Sequence, residues 1–424
     1  MRQLILVFYF SAVLLYANAQ SSKEIIAELE SIHQALRADT GAAVTHRAMN
    51  IFLADKTGYL GGSRDLSFFT NYVTFNSAEA RLTVNHNFQQ PAAGNDAPIK
   101  RLLSIGFDMA LASSYTKSFL DKRFESGLGI TVNYKWLGKV KTGFTNSAGQ
   151  KQAMDALRGL VLETIAAGMV QKENSFREAL QKLDSTGAAA KKVVTENFYA
   201  DLKQAGEEQF AEAQAALLTR TMHFKYIRTC WTSFTAYIPL FFPSYKTAGS
   251  FSAPFISRHP YPLALALGHT RLWESARMGR LFFTLEATLL LNNAKLSYGL
   301  SKMNFSEYKS LGGTGLAADA DPGNNKLYIG PYKKFVTPSI SSRWVCFPGT
   351  SHVGISALLE KSFGEYDPLS CRLGIPIVLI NSKKTPAVNI ECYVLLPDLL
   401  NTTPATGNTL VGVSIGVPFS RLMY

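Results

Sequence analysis

The feature of this sequence that most constrains its fold is a two-residue alternation between large apolar side chains and small or polar ones. From Leu103 to Leu111, every second residue is large and apolar, and the residues between them are small or polar. Successive side chains of a β-strand point to opposite faces, so each such segment has one apolar face. The same alternation recurs at Leu128–Trp136, Leu281–Leu291, Leu369–Leu379, Val388–Val394 and Val411–Phe419.

Two architectures use strands of this kind. A soluble sandwich buries the apolar face in its core, whereas a membrane barrel turns that face toward lipid and encloses the polar one. Several segments exceed nine residues, as a tilted bilayer-crossing strand requires, while soluble strands usually have five or six. Aromatic residues stand near segment ends, as at a membrane interface, at Phe241, Phe242, Tyr261, Trp344 and Tyr424. We therefore predict a mainly β fold, a closed antiparallel transmembrane β-barrel, with a secreted sandwich as the alternative.

The N-terminus has the pattern of a secretory signal peptide. A short basic start is followed by an almost wholly apolar stretch, Leu4–Tyr16, and by the small-residue triplet Ala17–Ala19. This pattern predicts export and cleavage near Ala19, before Gln20. Beyond that point no run of about 18 apolar residues occurs, so the sequence predicts no spanning helix. Charged residues form only 17% of the chain, against about 25% in an average soluble domain.

Twelve candidate strands can be counted, an even number that places both chain ends on one side of a membrane. Counts of ten and fourteen stay open, because the first two strands and the region 220–240 have the weakest pattern. With both ends in the periplasm, the connection 294–337 faces outward. The candidate strands are 66–77, 79–89, 99–113, 125–141, 220–240, 258–270, 279–293, 338–347, 352–364, 369–381, 386–397 and 409–420.

One segment departs from the two-residue period. Between Lys151 and Arg220 charged residues become frequent and apolar residues recur every three to four positions, which predicts helices. A second helix is predicted at Lys23–Arg37, where it could pack against the first strand. The predicted organisation is a signal peptide (1–19), an N-terminal helical or irregular segment (20–65), first barrel strands (66–141), a helical insert on the periplasmic side (142–219) and further barrel strands (220–424).

These features together resemble the bacterial outer-membrane β-barrel class. The stretch Val411–Phe419 is similar to the closing strands of such proteins, although five further residues, Ser420–Tyr424, follow it. The resemblance covers residues 66–141 and 220–424. It implies a place in the Gram-negative outer membrane, contact with lipid and lipopolysaccharide, and recognition of the last strand by the barrel-assembly machinery. It implies no particular activity, because fold does not determine function.

Motifs for chemistry are largely missing from the sequence. No zinc-binding, nucleophile-elbow or phosphate-binding motif occurs, so we predict no catalytic residues, no metal site and no cofactor. Ser351 and His352 form the one adjacent pair that an outer-membrane hydrolase could use. The excess of 43 Lys+Arg over 31 Asp+Glu is spread along the chain rather than gathered in runs, which argues against a nucleic-acid partner.

Two cysteines, Cys371 and Cys392, fall on adjacent predicted strands. Both lie on apolar faces, so the first interpretation is that they are small apolar residues in contact with lipid. A disulfide is the alternative, provided that the strand register places the two residues opposite each other.

The most informative residues for function are charges on the predicted inner faces. Charge in a barrel interior is costly unless it is paired or hydrated. Paired charges would close a rigid structural barrel, whereas hydrated charges would line a pore that selects solutes. The predicted lumen charges are Asp108, Lys135, Arg280, Glu286, Glu360, Arg372 and Glu391.

The sequence therefore favours a passive or selective pore for small solutes, with the connection 294–337 as a constriction. The second hypothesis is a structural barrel that anchors a periplasmic or surface partner through the helical insert 142–219. A third is an outer-membrane hydrolase.

Overall fold

A computed structural model describes most of the chain and contains twelve long strands. The described residues are 21–38, 44–57, 70–77, 81–89, 99–110, 119–120, 123–124, 128–144, 148–182, 188–221, 224–241, 244–250, 253–259, 261–275, 277–294, 300–303, 327–381, 386–400 and 409–421. The long strands are β1 (Thr70–Asn76), β2 (Arg81–Gln89), β3 (Arg101–Ala110), β4 (Leu128–Leu137), β5 (Phe224–Phe241), β6 (Ala264–Ser275), β7 (Gly279–Asn293), β8 (Lys334–Phe347), β9 (Ile355–Ser362), β10 (Leu369–Ile380), β11 (Pro386–Leu396) and β12 (Leu410–Arg421).

The twelve strands form one closed cylinder. Each strand pairs antiparallel with the next strand in sequence. The last strand, β12, then pairs antiparallel with β1, in a register that sets Asn76 opposite Ser414. The predicted closed antiparallel barrel of twelve strands is confirmed. The sandwich alternative is wrong, because the apolar faces of the described strands are exposed rather than covered by a second sheet.

The faces of the strands follow the predicted alternation. On the outside, Phe107, Leu373 and Ile375 each expose more than half of their surface. On the inside, Ser104 and Ser414 are fully buried. Large apolar side chains therefore cover the outer wall and small polar ones the inner wall, which is the arrangement of a barrel solvated by lipid.

Strand bounds differ from the prediction most clearly at β6. The predicted segment 258–270 is displaced, because β6 continues in unbroken register with β7 until Ser275 pairs with Gly279. A tight turn joins the two strands, and Gly279 has a φ of +87° there. A Cβ atom at Gly279 would also lie 2.1 Å from the carbonyl oxygen of Phe347, so this position requires glycine.

The two rims of the cylinder differ in their connections. One rim, here called the chain-end rim, carries the start of β1, the end of β12 and the compact connections 276–278, 348–354 and 381–385. The opposite rim carries the longer connections 242–263, 294–333 and 397–409. The connection between β4 and β5, which holds the helical insert, is the exception, because it lies at the chain-end rim. The other long connections lie mostly at the opposite rim, as predicted for a barrel whose chain ends lie in the periplasm.

Four helices accompany the barrel in the described part of the chain. They are α1 (Ser22–Ala38), α2 (His46–Thr57), α3 (Ala148–Gln181) and α4 (Ala188–Thr221). Since α3 and α4 connect β4 to β5, they lie at the chain-end rim. Among the described residues, no helix combines the length and apolarity needed to cross a bilayer. The predicted signal peptide 1–19 lies outside the described residues.

Short strands extend the sheets at the rims. Residues Lys141–Phe144 pair with the first part of β5. A small four-stranded sheet forms from the connections of the opposite rim, and a two-residue hairpin forms between β3 and β4. These further strands are Tyr245–Ala248, Ile256–Arg258, Ser301–Met303, Leu327–Ile329, Phe119–Leu120 and Arg123–Phe124.

The register of β10 and β11 shows whether Cys371 and Cys392 could form a disulfide. Cys371 pairs with Leu396, and Cys392 pairs with Ile375, so the two cysteines are not opposite each other. Both are free thiols. The disulfide alternative is therefore wrong, because the strands bring different residues together.

A charge on the outer wall should oppose insertion into a bilayer. Ile375 lies near the middle of β10 with its side chain outward, so Ile375→Arg would place a guanidinium in hydrocarbon and cost about 2–4 kcal/mol of folding free energy. Urea unfolding in phospholipid vesicles measures this loss. Met278→Arg is the control, because Met278 is exposed in the rim turn. Equal stability of the two variants would contradict an outer wall in contact with lipid.

Candidate functional site

Helix α2 lies across the mouth of the barrel at the chain-end rim. Nearly every side chain of this short helix is buried, including Phe52, Ala48 and Leu53. A helix buried on all sides must be surrounded by protein. Its neighbours are the inner wall of the barrel on one side and the final turns of α4 on the other.

A buried apolar cluster connects α2 with much of the inner wall. The apolar side chains of α2 share this cluster with inward-facing residues of β3, β5, β6, β7, β8 and β10. Trp231, Phe282 and Phe347 are the largest of these wall residues, and all three are almost completely buried. From α4, Ala215 and Leu218 join the same cluster. Apolar side chains of α2, α4 and the wall therefore form one cluster at the mouth. The wall residues of the cluster are Leu102, Ile227, Trp231, Leu272, Phe282, Val345, Phe347 and Val378.

A buried triad of charges fixes the C-terminal end of α2 to the wall. The Nζ atom of Lys56 lies 2.6 Å from a carboxylate oxygen of Glu274 on β6. The other oxygen of Glu274 accepts a hydrogen bond from Nε of Arg280 on β7, at 3.0 Å. All three side chains are buried. Removing Glu274 from this group would leave two buried cations without a compensating charge, which costs about 3–5 kcal/mol.

The electrostatic environment of Lys56 reflects this burial. Desolvation and the nearby guanidinium of Arg280 lower the pKa of Lys56, while the carboxylate of Glu274 opposes that change. The ammonium group also lies 4.9 Å from the centre of the Phe52 ring. The charged form of Lys56 therefore depends on Glu274.

The N-terminal end of α2 is tied to α4 instead. Arg47 and Glu207 form an ion pair of 2.8 Å. The backbone amide of Thr45 donates to Oε1 of Gln214 at 3.0 Å. Helix α2 thus joins two bodies, the barrel wall through Lys56 and the helices outside the barrel through Arg47.

Further inside, two of the predicted lumen charges meet. Arg372 on β10 and Glu391 on β11 form an ion pair of 2.6 Å. Glu391 also accepts a hydrogen bond of 2.5 Å from the hydroxyl of Ser356. The guanidinium of Arg372 lies 3.5 Å from the centre of the Tyr393 ring. A Cβ at Gly374 would lie 2.7 Å from the Glu391 carboxylate, so the missing side chain leaves room for this carboxylate.

Asp108 forms a second charged group, nearer the opposite rim. Its carboxylate is fully buried and lies 3.2 Å from Nε of Arg81 on β2. The hydroxyls of Thr83, at 2.5 Å, and of Thr131 donate to it. The guanidinium of Arg81 lies over the ring of Tyr237, 5.5 Å from its centre. Arg81 was not among the predicted lumen charges, although it shares a strand face with Thr83.

The remaining predicted charges also lie on inward-facing positions. Lys135 is almost completely buried on β4. Glu286 is partly buried and accepts a long hydrogen bond of 3.5 Å from the hydroxyl of Thr288. Glu360 is partly buried on β9, between Ser341 and Ser370 of the neighbouring strands.

The predicted lumen charges are thus distributed over several places. The strands bring Arg372 and Glu391 together as an ion pair. They set Arg280 at the mouth with Lys56 and Glu274, two residues that the sequence pattern did not single out.

Outside the barrel, α1, α3 and α4 form a three-helix bundle. The core of the bundle contains Ile25 and Leu29 of α1, Ile165 of α3, and Leu202 and Phe210 of α4. Helix α1 therefore packs on the helical insert and not on the first strand, because its apolar face matches the faces that α3 and α4 leave open. The bundle has its own core and stands at the chain-end rim.

A network around Glu173 locks α1 to the two long helices. The carboxylate accepts hydrogen bonds from Ser22 of α1, from Tyr199 of α4 at 2.7 Å and from Arg177 of α3 at 2.6 Å. Burial acts to raise the pKa of Glu173, but these hydrogen bonds outweigh it and lower that pKa to about 2. Lys203 and Glu28 add an ion pair of 2.6 Å between α4 and α1.

Ser351, the residue of the hydrolase hypothesis, is hydrogen-bonded within its own segment of the chain. Its hydroxyl donates to the carbonyl of Val353 at 2.8 Å and accepts from the Val353 amide at 3.0 Å. These contacts close a local turn at the chain-end rim, and the hydrolase hypothesis stays a prediction. Within the part of the chain that the structure describes, no cluster of three or more His, Cys, Asp or Glu side chains could hold a metal ion.

The bundle should lose stability in acid because of Glu173. The folded state holds this carboxylate deprotonated down to about pH 2, whereas an unfolded Glu takes up a proton near pH 4.3. Stability is therefore complete above about pH 4.3 and falls progressively toward pH 2. The urea midpoint of the helical circular dichroism measures this fall. Glu173→Gln should flatten the pH dependence and Glu178→Gln, on the exposed face of α3, should retain it; equal profiles would contradict the assignment.

Comparison with known proteins finds similarity at the level of structure. No protein-family model and no curated protein sequence matches the chain. Among solved structures, the chain is similar to the β domain of the Bordetella autotransporter BrkA, with 9% sequence identity and a TM-score of 0.31. The match covers 83% of this chain and 98% of that one. The closed cylinder with its apolar outer wall gives this chain the architecture of the outer-membrane β-barrel class.

Proposed function

We propose that this protein is an outer-membrane anchor that holds a three-helix bundle at one rim of a barrel whose mouth is closed at rest. The observation that carries the proposal is the position of α2, which lies across the mouth and is bonded both to the wall and to the bundle. A passive pore gains nothing from a buried helix in its entrance. An anchor gains rigidity, because α2 couples the bundle to the barrel.

The surface of the bundle supports a role in binding. Val193 and Val194 of α4 expose about half of their surface near the far end of the α3–α4 hairpin, away from the barrel. Apolar side chains are typical of contact surfaces between proteins, and two adjacent exposed valines on a charged helix offer such a contact. The proposed partner is a protein on the side of the chain-end rim, which is the periplasm in the predicted orientation.

A photo-crosslinking amino acid tests the anchor directly. Placed at Val193 in cells, it should capture a discrete partner band. Placed at Glu178, an exposed polar position of α3, it should capture much less. A charge at the neighbouring apolar position, Val194→Glu, should reduce the Val193 product several-fold. Identical capture at both positions, insensitive to Val194→Glu, would remove the anchor proposal.

A second candidate, a gated pore, is favoured by the chemistry of the lumen. An anchor would need only a packed interior, yet the wall carries Asp108, Lys135, Arg372 and Glu391. In this function α2 would act as the gate, and solutes would pass when it leaves the mouth.

The conductance of the protein in planar bilayers shows whether α2 closes the barrel. The wild-type protein should show no steady conductance, while deletion of residues 44–57 should open a stable channel. Glu274→Gln should give intermittent openings, because Lys56 and Arg280 then repel each other without a carboxylate between them. Lys192→Ala is the control, since it removes an exposed cation of α4 far from the mouth. Steady wild-type conductance that the deletion leaves unchanged would contradict a role for α2 in closure.

A further inference from the structure

A group of cations on the outer wall of the barrel lies at the chain-end rim. Lys141 and Arg228 are opposite each other on paired strands, and both are exposed. Arg271 is exposed on β6 and pairs with Cys230, two residues along β5 from Arg228. These three residues, Lys141, Arg228 and Arg271, are called the outer cation group below.

The spacing of the outer cation group is unfavourable without an anion. Side chains directly opposite each other on antiparallel strands have Cβ atoms about 4.5–5.5 Å apart, and diagonal neighbours lie about 7–8 Å apart. Like charges at these separations destabilise a sheet. None of the three cations forms an ion pair with any acid of the described residues.

The surrounding sequence supplies no compensating charge. The segments 128–144, 224–241 and 261–280 contain a single acid, Glu274. That carboxylate points inward and is already bound by Lys56 and Arg280. An anion for the outer cation group must therefore come from outside these strands.

Aromatic side chains mark the depth of the group in the bilayer. Trp273 pairs directly with Arg228, whose guanidinium lies 4.9 Å from the centre of the Tyr226 ring. Trp136 is exposed on β4 at the same rim. Tryptophan and tyrosine collect at the level of lipid headgroups. Toward the opposite rim, the same outer wall becomes apolar, with exposed Phe234 on β5 and Leu267 on β6.

We propose that the outer cation group binds the phosphate of an anionic phospholipid, whose acyl chains lie along Phe234 and Leu267. The compact turns of the chain-end rim are typical of the periplasmic side, where the leaflet consists of phospholipid rather than lipopolysaccharide. Arginine and lysine donate charge-assisted hydrogen bonds to phosphate oxygens. A lipid bound here would connect β5 and β6 with the strand Lys141–Phe144, next to the point where α4 enters β5.

Tryptophan quenching by brominated lipids tests the proposal, because Trp136 and Trp273 lie beside the group. Folded protein is placed in mixed vesicles of phosphatidylcholine and brominated phosphatidylglycerol, and relative affinity is read from the quenching curve. Wild type should prefer phosphatidylglycerol. Each substitution by glutamine, at Lys141, Arg228 or Arg271, should reduce that preference about five-fold, which corresponds to about 1 kcal/mol per cation.

Matched variants test whether the preference depends on these three cations. Lys334→Gln removes an exposed cation at the opposite rim and should leave the preference for phosphatidylglycerol unchanged. The double variant Arg228→Lys with Arg271→Lys keeps both charges and should retain most of this preference. Heat-modifiable gel migration confirms that each variant is folded before measurement. Equal preference in wild type and the triple glutamine variant would overturn the site. Displacement of the lipid by millimolar inorganic phosphate, or stronger binding of lipopolysaccharide than of phosphatidylglycerol, would overturn the assignment to phospholipid.

Discussion

An apolar medium offers a peptide group no hydrogen-bond partner, and the whole architecture depends on this constraint. A sheet in hydrocarbon must therefore satisfy every backbone donor and acceptor within itself, which only a closed cylinder does. Pairing of β12 with β1 supplies the last of these bonds. Once the cylinder is closed, the alternation of side chains assigns one face to lipid and the other to a polar interior, and each inward charge must then find a partner.

The inner charges divide the lumen into two chemically different regions. Near the chain-end rim, apolar side chains of α2 and the wall surround the triad of Lys56, Glu274 and Arg280. Farther along, polar side chains line the wall and the ion pair of Arg372 and Glu391 lies among them. The first region resembles a protein core and holds a helix in place, whereas the second consists of buried polar and charged side chains. The same interior could thus serve an anchor or a gated pore. The two functions differ in whether α2 leaves the mouth.

The strands could be predicted because their pattern is local. In a segment such as Leu281–Leu291, the alternation of residues alone predicts which side chains lie on each face of the strand, and no distant residue is needed for this prediction. Helix α2 could not be predicted, because Arg47, Asn50 and Lys56 interrupt any apolar stripe, and its partner Glu274 is 218 residues away. Glu274 itself was missed because the predicted strand stopped at 270, before the hairpin at Gly279. The register of Cys371 against Leu396 likewise depends on pairing between strands, which periodicity within one strand does not reveal.

The seam between the first and last strands has a consequence for biogenesis. There the amide of Val413 donates to the hydroxyl of Ser77 across 336 residues of sequence. Contacts between residues so far apart in sequence form late in folding. The chain must first lose the entropy of closing a long loop, and only then does strand pairing contribute stability. Until translation has delivered β12, the free edge of β1 is a template for wrong partners. A truncation anywhere before β12 should therefore leave an unsealed, aggregation-prone sheet rather than a smaller barrel.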